Sequence, residues 1–127
     1  QVQMIFSTMP PVLPHVKTGK LRALGVTSAK RLTATPEVPT FAESGLAGFE
    51  VIQWYGVFAP PGMPGPITRK RNAALVRILE ADQLRKDFSG QGIEVLSSTP
   101  EALAAYVKSE RARWGKVLAE LGIREQP

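Results

Sequence analysis

The side chains best suited to holding a small ligand lie near the start of the chain, where Ser7 and Thr8 precede Met9 and the pair Pro10-Pro11. Val2, Met4, Ile5 and Phe6 are apolar and predict a buried strand. Pro10 to Lys17, closed by Gly19, predicts a short helix whose first turn tolerates proline. Hydroxyls and backbone amides at a strand-to-helix junction favour a carboxylate or phosphate, and open α/β sheets place ligands there. Ser7, Thr8 and Met9 are therefore the candidate ligand-binding residues, with simple helix capping by the hydroxyls as the alternative. Trp54 and Tyr55 are candidates for a cleft or hinge, with core packing as their alternative.

Catalytic chemistry is poorly supplied. His15 is the only histidine, and no carboxylate lies within several residues to orient it as a base. The chain has no cysteine, which excludes a thiol nucleophile, a disulfide framework and thiolate metal sites. Glu37 and Glu43 stand across a proline-rich loop that sets no fixed separation, so they are expected to act as a loop charge and a local cap rather than as an acid/base pair. No catalytic residue, metal site or cofactor is expected, and the chain is not expected to be an enzyme.

The chain has 127 residues, 43% of them hydrophobic and 21% charged, an ordinary globular composition. Sixteen Lys and Arg against 11 Asp and Glu give a net charge of +5, which raises the alternative of a small basic interaction domain for nucleic acid or another polyanion. The densest basic stretch is Arg69, Lys70 and Arg71, with Arg77 following. No stacking-aromatic motif, phosphate loop or zinc spacing accompanies it, and a solvated helix face accounts for it better. No apolar run is long enough to span a membrane, and Gln1 to Phe6 lacks the basic start and apolar core of a signal peptide. An apolar segment that begins at the second residue leads us to expect sequence ahead of it.

The elements that must position these residues are set by local patterns. Leu21 to Thr27 predicts a second strand, completing a βαβ crossover with parallel pairing. Ser28 to Pro39 predicts a loop. Thr40, Glu43 and Gly45 have capping-box spacing for a one-and-a-half-turn helix. Phe49 to Phe58 predicts a long strand covered on both faces. Ala59 to Pro66 holds four prolines and two glycines and predicts a stiff connector. Ile67, Ala74, Leu75, Ile78 and Leu79 form a helical stripe, and a shorter helix carries Leu84 and Phe88 up to Gly90 and Gly92. Ile93 to Leu96 predicts a short strand. Thr99 caps a final helix that runs to Gly122, with Leu103, Val107, Trp114 and Val117 on one side.

Several of these residues, in this order, resemble one family. They are Lys17-Thr18-Gly19-Lys20-Leu21-Arg22, Arg31, Pro36 to Gly45, Trp54-Tyr55-Gly56, Gly62-Met63-Pro64, Asn72-Ala73-Ala74 and Ser98-Thr99-Pro100-Glu101, with Trp114 beyond. The set resembles the substrate-binding proteins of tripartite tricarboxylate transporters, also called Bug-type receptors. The resemblance implies an α/β fold: a fragment of a periplasmic-binding-protein-like two-domain architecture of the type II, Venus-flytrap kind. Residues 1–58 would be the end of the second lobe with its hinge strand, and residues 59–127 the returning segment that completes the first. It also implies a periplasmic receptor for a small carboxylate-bearing ligand, whose partners are the transporter's membrane components rather than nucleic acid.

Two positions depart from the family pattern. Met63 stands where Thr is usual, and Arg71 falls on the apolar stripe, so that helix must either pack loosely or supply Arg71 with a carboxylate. Unpaired strand edges in a partial fold also predict self-association. Light scattering on the isolated chain should then give a mass above that of the monomer, and a clean monomer at high concentration would contradict this.

Overall fold

Proline, glycine and hydroxyl residues punctuate the helices of this chain. The computed structural model describes residues 3–123, with helices α1 (Met9–Lys17), α2 (Gly65–Leu79), α3 (Asp82–Ser89) and α4 (Pro100–Glu120). α1 ends at Thr18, whose N–H bonds to Pro14, and Gly19 comes next with φ +73°, a conformation that favours glycine. α3 stops at Gly90, and Gly92 turns the chain at φ +77°. α4 starts as the sequence predicts: the Thr99 hydroxyl accepts from the Ala102 N–H at 3.1 Å, with Pro100 in the first turn. The proline-rich connector is shorter than expected, because Gly65 and Pro66 already belong to α2.

The predicted strands do not form a sheet among the described residues. The single β pairing there is a parallel bridge between Val26 and Thr40, made by Val26 N–H to Pro39 O (2.9 Å) and Phe41 N–H to Val26 O (3.0 Å). Thr27 adds a second tie on its other side, accepting at its carbonyl from Val51 N–H (2.9 Å) and donating its hydroxyl to Val51 O (2.7 Å). The expected parallel partner of Leu21–Thr27 was the first segment, so this pairing is a correction. Val2 lies outside the described residues, and Met4, Ile5 and Phe6 are exposed rather than buried in a strand. Phe49 to Phe58 and Ile93 to Leu96 carry the residue types of strands but no ladder. Val57 is 72% exposed and Leu96 81%. A strand exists only through its neighbours, and among the described residues the Val51–Thr27 tie is not extended into a ladder.

The chain divides into two compact units, one of Gln1–Tyr55 with Ile78–Leu96, the other of Gly56–Arg77 with Ser97–Pro127. The first holds all the fully buried side chains among the described residues: Leu13, Val26, Thr35, Val38 and Thr40. The half-buried Phe41 ring packs against Gly25 and meets Phe6 edge-on at 6.5 Å and Phe49 at 5.4 Å. A Cβ on Gly25 would stand 2.7 Å from that ring, so glycine is required there for close approach.

The second unit buries no described residue fully. Asn72 on α2 donates its side-chain amide to Ser98 O at 2.9 Å and so ties α2 to the start of α4. On α4 the Trp114 indole donates to Glu110 at 3.2 Å, and Arg113 stacks 5.7 Å from the Trp114 ring centre. Arg71 is exposed and makes no ion pair among the described residues, which fits the loosely packed alternative for α2.

Two glycines should respond in opposite directions to the same substitution. Gly25→Ala should destabilise the chain by about 1–3 kcal/mol, since the Phe41 ring must move. Gly115→Ala, inside α4 with open space around its Cβ position, should stabilise it by about 0.5–1 kcal/mol. Thermal unfolding of the two variants beside the parent measures both.

Candidate functional site

Ser7, Thr8 and Met9 sit together where α1 begins, one residue beyond the aromatic cluster that Phe6 joins. Thr8 is the N-cap by position, yet its side chain makes no cap hydrogen bond. The reason lies in the next residues. A capping hydroxyl accepts from the second or third helical N–H, and here those positions are Pro10 and Pro11, which have none. The capping role that the sequence left open for these hydroxyls is therefore not the one Thr8 takes. Ser7 is exposed and donates its hydroxyl to Thr8 O at 3.1 Å.

The same prolines reduce the backbone donors at this helix start. Of the four N–H groups that a helix leaves without an internal partner, the two from Pro10 and Pro11 are missing, so the amides of Thr8 and Met9 remain. Met9 also has a packing role: its side chain is half-buried and lies against Gly92, where a Cβ would collide with it. An anion at this junction would meet two hydroxyls and two amides with no formal positive charge among them.

Trp54 and Tyr55 occupy the segment just past the Thr27–Val51 tie. Trp54 is half-buried, whereas Tyr55 is 86% exposed and its hydroxyl accepts from the Gln53 amide at 2.9 Å. Tyr55 is the last residue of the first unit's opening segment, and Gly56 the first of the second unit. Core packing thus fails for Tyr55.

The turn that presents Phe41 is held by a polar clasp. The Thr40 N–H donates to Glu43 Oε2 at 2.8 Å, and the Glu43 N–H donates to Thr40 Oγ1 at 3.1 Å, a reciprocal capping box as the spacing predicts. Beyond Glu43 the chain makes a turn rather than the expected helix, because Gly45 adopts φ +105° only two residues on. Arg31 completes the clasp: its Nε donates to both Glu43 oxygens, at 2.9 and 3.2 Å, and its Nη1 to Pro36 O at 3.1 Å. Sequence reasoning gave Glu43 its cap but not this partner, since twelve residues across an aperiodic loop carry no spacing signal. The Thr40 backbone bond first, and then the Arg31 guanidinium, hold the Glu43 carboxyl below its ordinary value of 4.5. His15, the one histidine, is exposed on α1, and the described residues hold no group of three or more metal-ligating side chains.

Comparison with known proteins places this arrangement. The structure of the periplasmic binding protein BugD superposes with a TM-score of 0.80 at 36% identity, covering 91% of this chain and 39% of that one. R. palustris Rpa4515 with adipate gives 0.79 at 33% identity, over 90% and 38%. MatC (Rpa3494) from Rhodopseudomonas palustris with bound malate gives 0.74 at 36%, over 87% and 38%. The fold is thus that of a portion of a periplasmic binding protein. The sequence profile of the tripartite tricarboxylate transporter family receptor matches residues 1–123, and the chain belongs to that family. A protein in the tcbD-tcbE intergenic region of Pseudomonas sp. (strain P51) is 39% identical over 121 residues, 94% of this chain and 36% of its own length. The chain therefore spans a little over a third of the length of each of these four relatives.

The Glu43 clasp has a pH signature. A carboxyl whose folded value is depressed contributes stability above its unfolded value, and that contribution is lost as pH falls through the folded value. Melting temperature should therefore drop on acidification below about 4.5 in the parent chain, and the drop should be shallower in Glu43→Gln. Thermal melts of both proteins between neutral and strongly acidic pH measure the difference.

Proposed function

We propose that this chain is part of an extracytoplasmic solute receptor for a small carboxylate-bearing ligand, which it delivers to the membrane components of a tripartite tricarboxylate transporter. The observation that carries the reading is the start of α1. There the Ser7 and Thr8 hydroxyls and the Thr8 and Met9 amides stand at a helix terminus whose prolines leave the Thr8 hydroxyl without a capping task. Family membership supports it, as do the adipate and malate held by solved relatives one third identical to this chain. The likeness to the periplasmic binding protein BugD supports a periplasmic address. Nothing in these comparisons favours a nucleic-acid partner.

In this reading Ser7, Thr8 and the Met9 amide contact a ligand carboxylate, while Trp54 and Tyr55 serve the cleft or the hinge. Residues 1–58 finish the second lobe of the longer receptor and residues 59–127 complete its first. The change of unit between Tyr55 and Gly56 supports a hinge close to the aromatic pair. No catalytic step is assigned, in keeping with a family of binding proteins.

The test uses the longest natural protein that contains this chain, with adipate, malate and adipamide as probes. One of the acids at a hundred times its dissociation constant should stabilise the protein by about 2.7 kcal/mol, and adipamide should not. Ser7→Ala with Thr8→Val should weaken the acid by about tenfold or more, the scale of hydrogen bonds to a charged group. No thermal shift with any small carboxylate would overturn the proposal.

A further inference from the structure

The net positive charge of this protein is confined to one of its two units. Among the described residues the first unit carries seven Lys and Arg against seven Asp and Glu, and the second eight against three. The whole excess of +5 therefore belongs to the second unit. Within it, Arg69, Lys70 and Arg77 on α2 and Lys108, Arg111 and Lys116 on α4 are all exposed, and none makes an ion pair among the described residues.

α4 orders its share of this charge. Its half-buried residues, Leu103, Val107, Glu110, Trp114 and Val117, recur every three or four positions and define the side turned toward the protein. Lys108 and Lys116 fall on the opposite side and Arg111 on the flank beside it, all within about 140° of arc and about 12 Å of helix length. Gly115 lies within this arc, next to Lys116 and one turn beyond Arg111. Nothing lies within 4 Å of where its Cβ would be, so internal packing gives no reason for a glycine that weakens the helix. A bare backbone beside Arg111 and Lys116 suits the close approach of an acidic surface.

We propose that this face of α4 is a docking surface for the acidic surface of a partner protein. Three unpaired cations would be costly to cover with an apolar layer, so the face remains open to water until a partner brings carboxylates. Arg111 offers the fork geometry that carboxylates match in pairs, and the lysines add point charges to either side. A membrane surface fits less well, since interfacial helices insert several large apolar side chains and the neighbours of Gly115 on the helix supply only one, Leu118. The proposal does not depend on the ligand assigned to Ser7 and Thr8.

The test is binding of poly-L-glutamate to the whole chain, measured by calorimetry at low and moderate salt, with phosphatidylglycerol vesicles and duplex DNA as parallel probes. Lys108→Glu, Arg111→Glu and Lys116→Glu together should weaken poly-L-glutamate binding by about tenfold or more. The equal charge change Lys17→Glu, Lys20→Glu and Arg22→Glu, placed in the first unit and outside the proposed surface, should weaken it less than about twofold at moderate salt. Gly115→Leu leaves every charge in place and should still weaken binding. Circular dichroism of each variant confirms that α4 has formed. Equal losses from the two triple variants would overturn the proposal, as would no loss from Gly115→Leu or tighter binding to vesicles or DNA than to poly-L-glutamate.

Discussion

The first unit depends on the Phe41 ring lying against Gly25. Phe41 is fixed at its backbone by the bond from its N–H to Val26 O, and its ring faces the adjoining Gly25, Phe6 and Phe49. Three segments distant in sequence meet there, none of which belongs to a helix. Aromatic pairs of this kind contribute about 0.5–1.5 kcal/mol beyond the area they bury, enough to matter where so few side chains are fully buried. Ser7 follows Phe6 directly, so the position of the candidate ligand site is inherited from this contact. The Arg31–Glu43–Thr40 clasp acts one step earlier, shaping the turn from which Phe41 projects.

What could be read in the sequence divides along the range of the interactions. Helix ends are local, and Thr99, Gly19, Gly90 and the Thr40–Glu43 box all act where spacing places them. Strands are not local. Phe49 to Phe58 has every compositional mark of a strand, but Val51 bonds to Thr27 without extending into a ladder among the described residues. The site was half legible. The junction at Ser7 and Thr8 was visible, and so were the two prolines that prevent Thr8 from capping, although that consequence emerges only once the first helical residue is fixed at Met9. The Arg31 partner of Glu43 had no signal in periodicity. Its presence among the residues that resemble the receptor family is explained by the clasp.

The two units rest on different physics. The first encloses a small core and balances its charges. The second relies on helix caps, the Asn72–Ser98 tie and the Trp114 group on α4, with every described side chain at least partly wet. Stability of that kind is distributed and local, and it permits opening of individual helices below the free energy of global unfolding. Charge is free to accumulate there because no packed interior competes for the same surface.

Pro10 and Pro11 carry a further consequence for recognition. Their rings fix two successive backbone φ angles at the very place where a ligand would be received, and they do so in the unfolded chain as well. A loop of ordinary residues would surrender about 1–2 kcal/mol of backbone freedom per residue when it closes on a small anion. Here much of that loss has been taken during synthesis of the chain, in covalent bonds. A junction with few donors can still receive a weakly held guest when it has so little disorder left to give up.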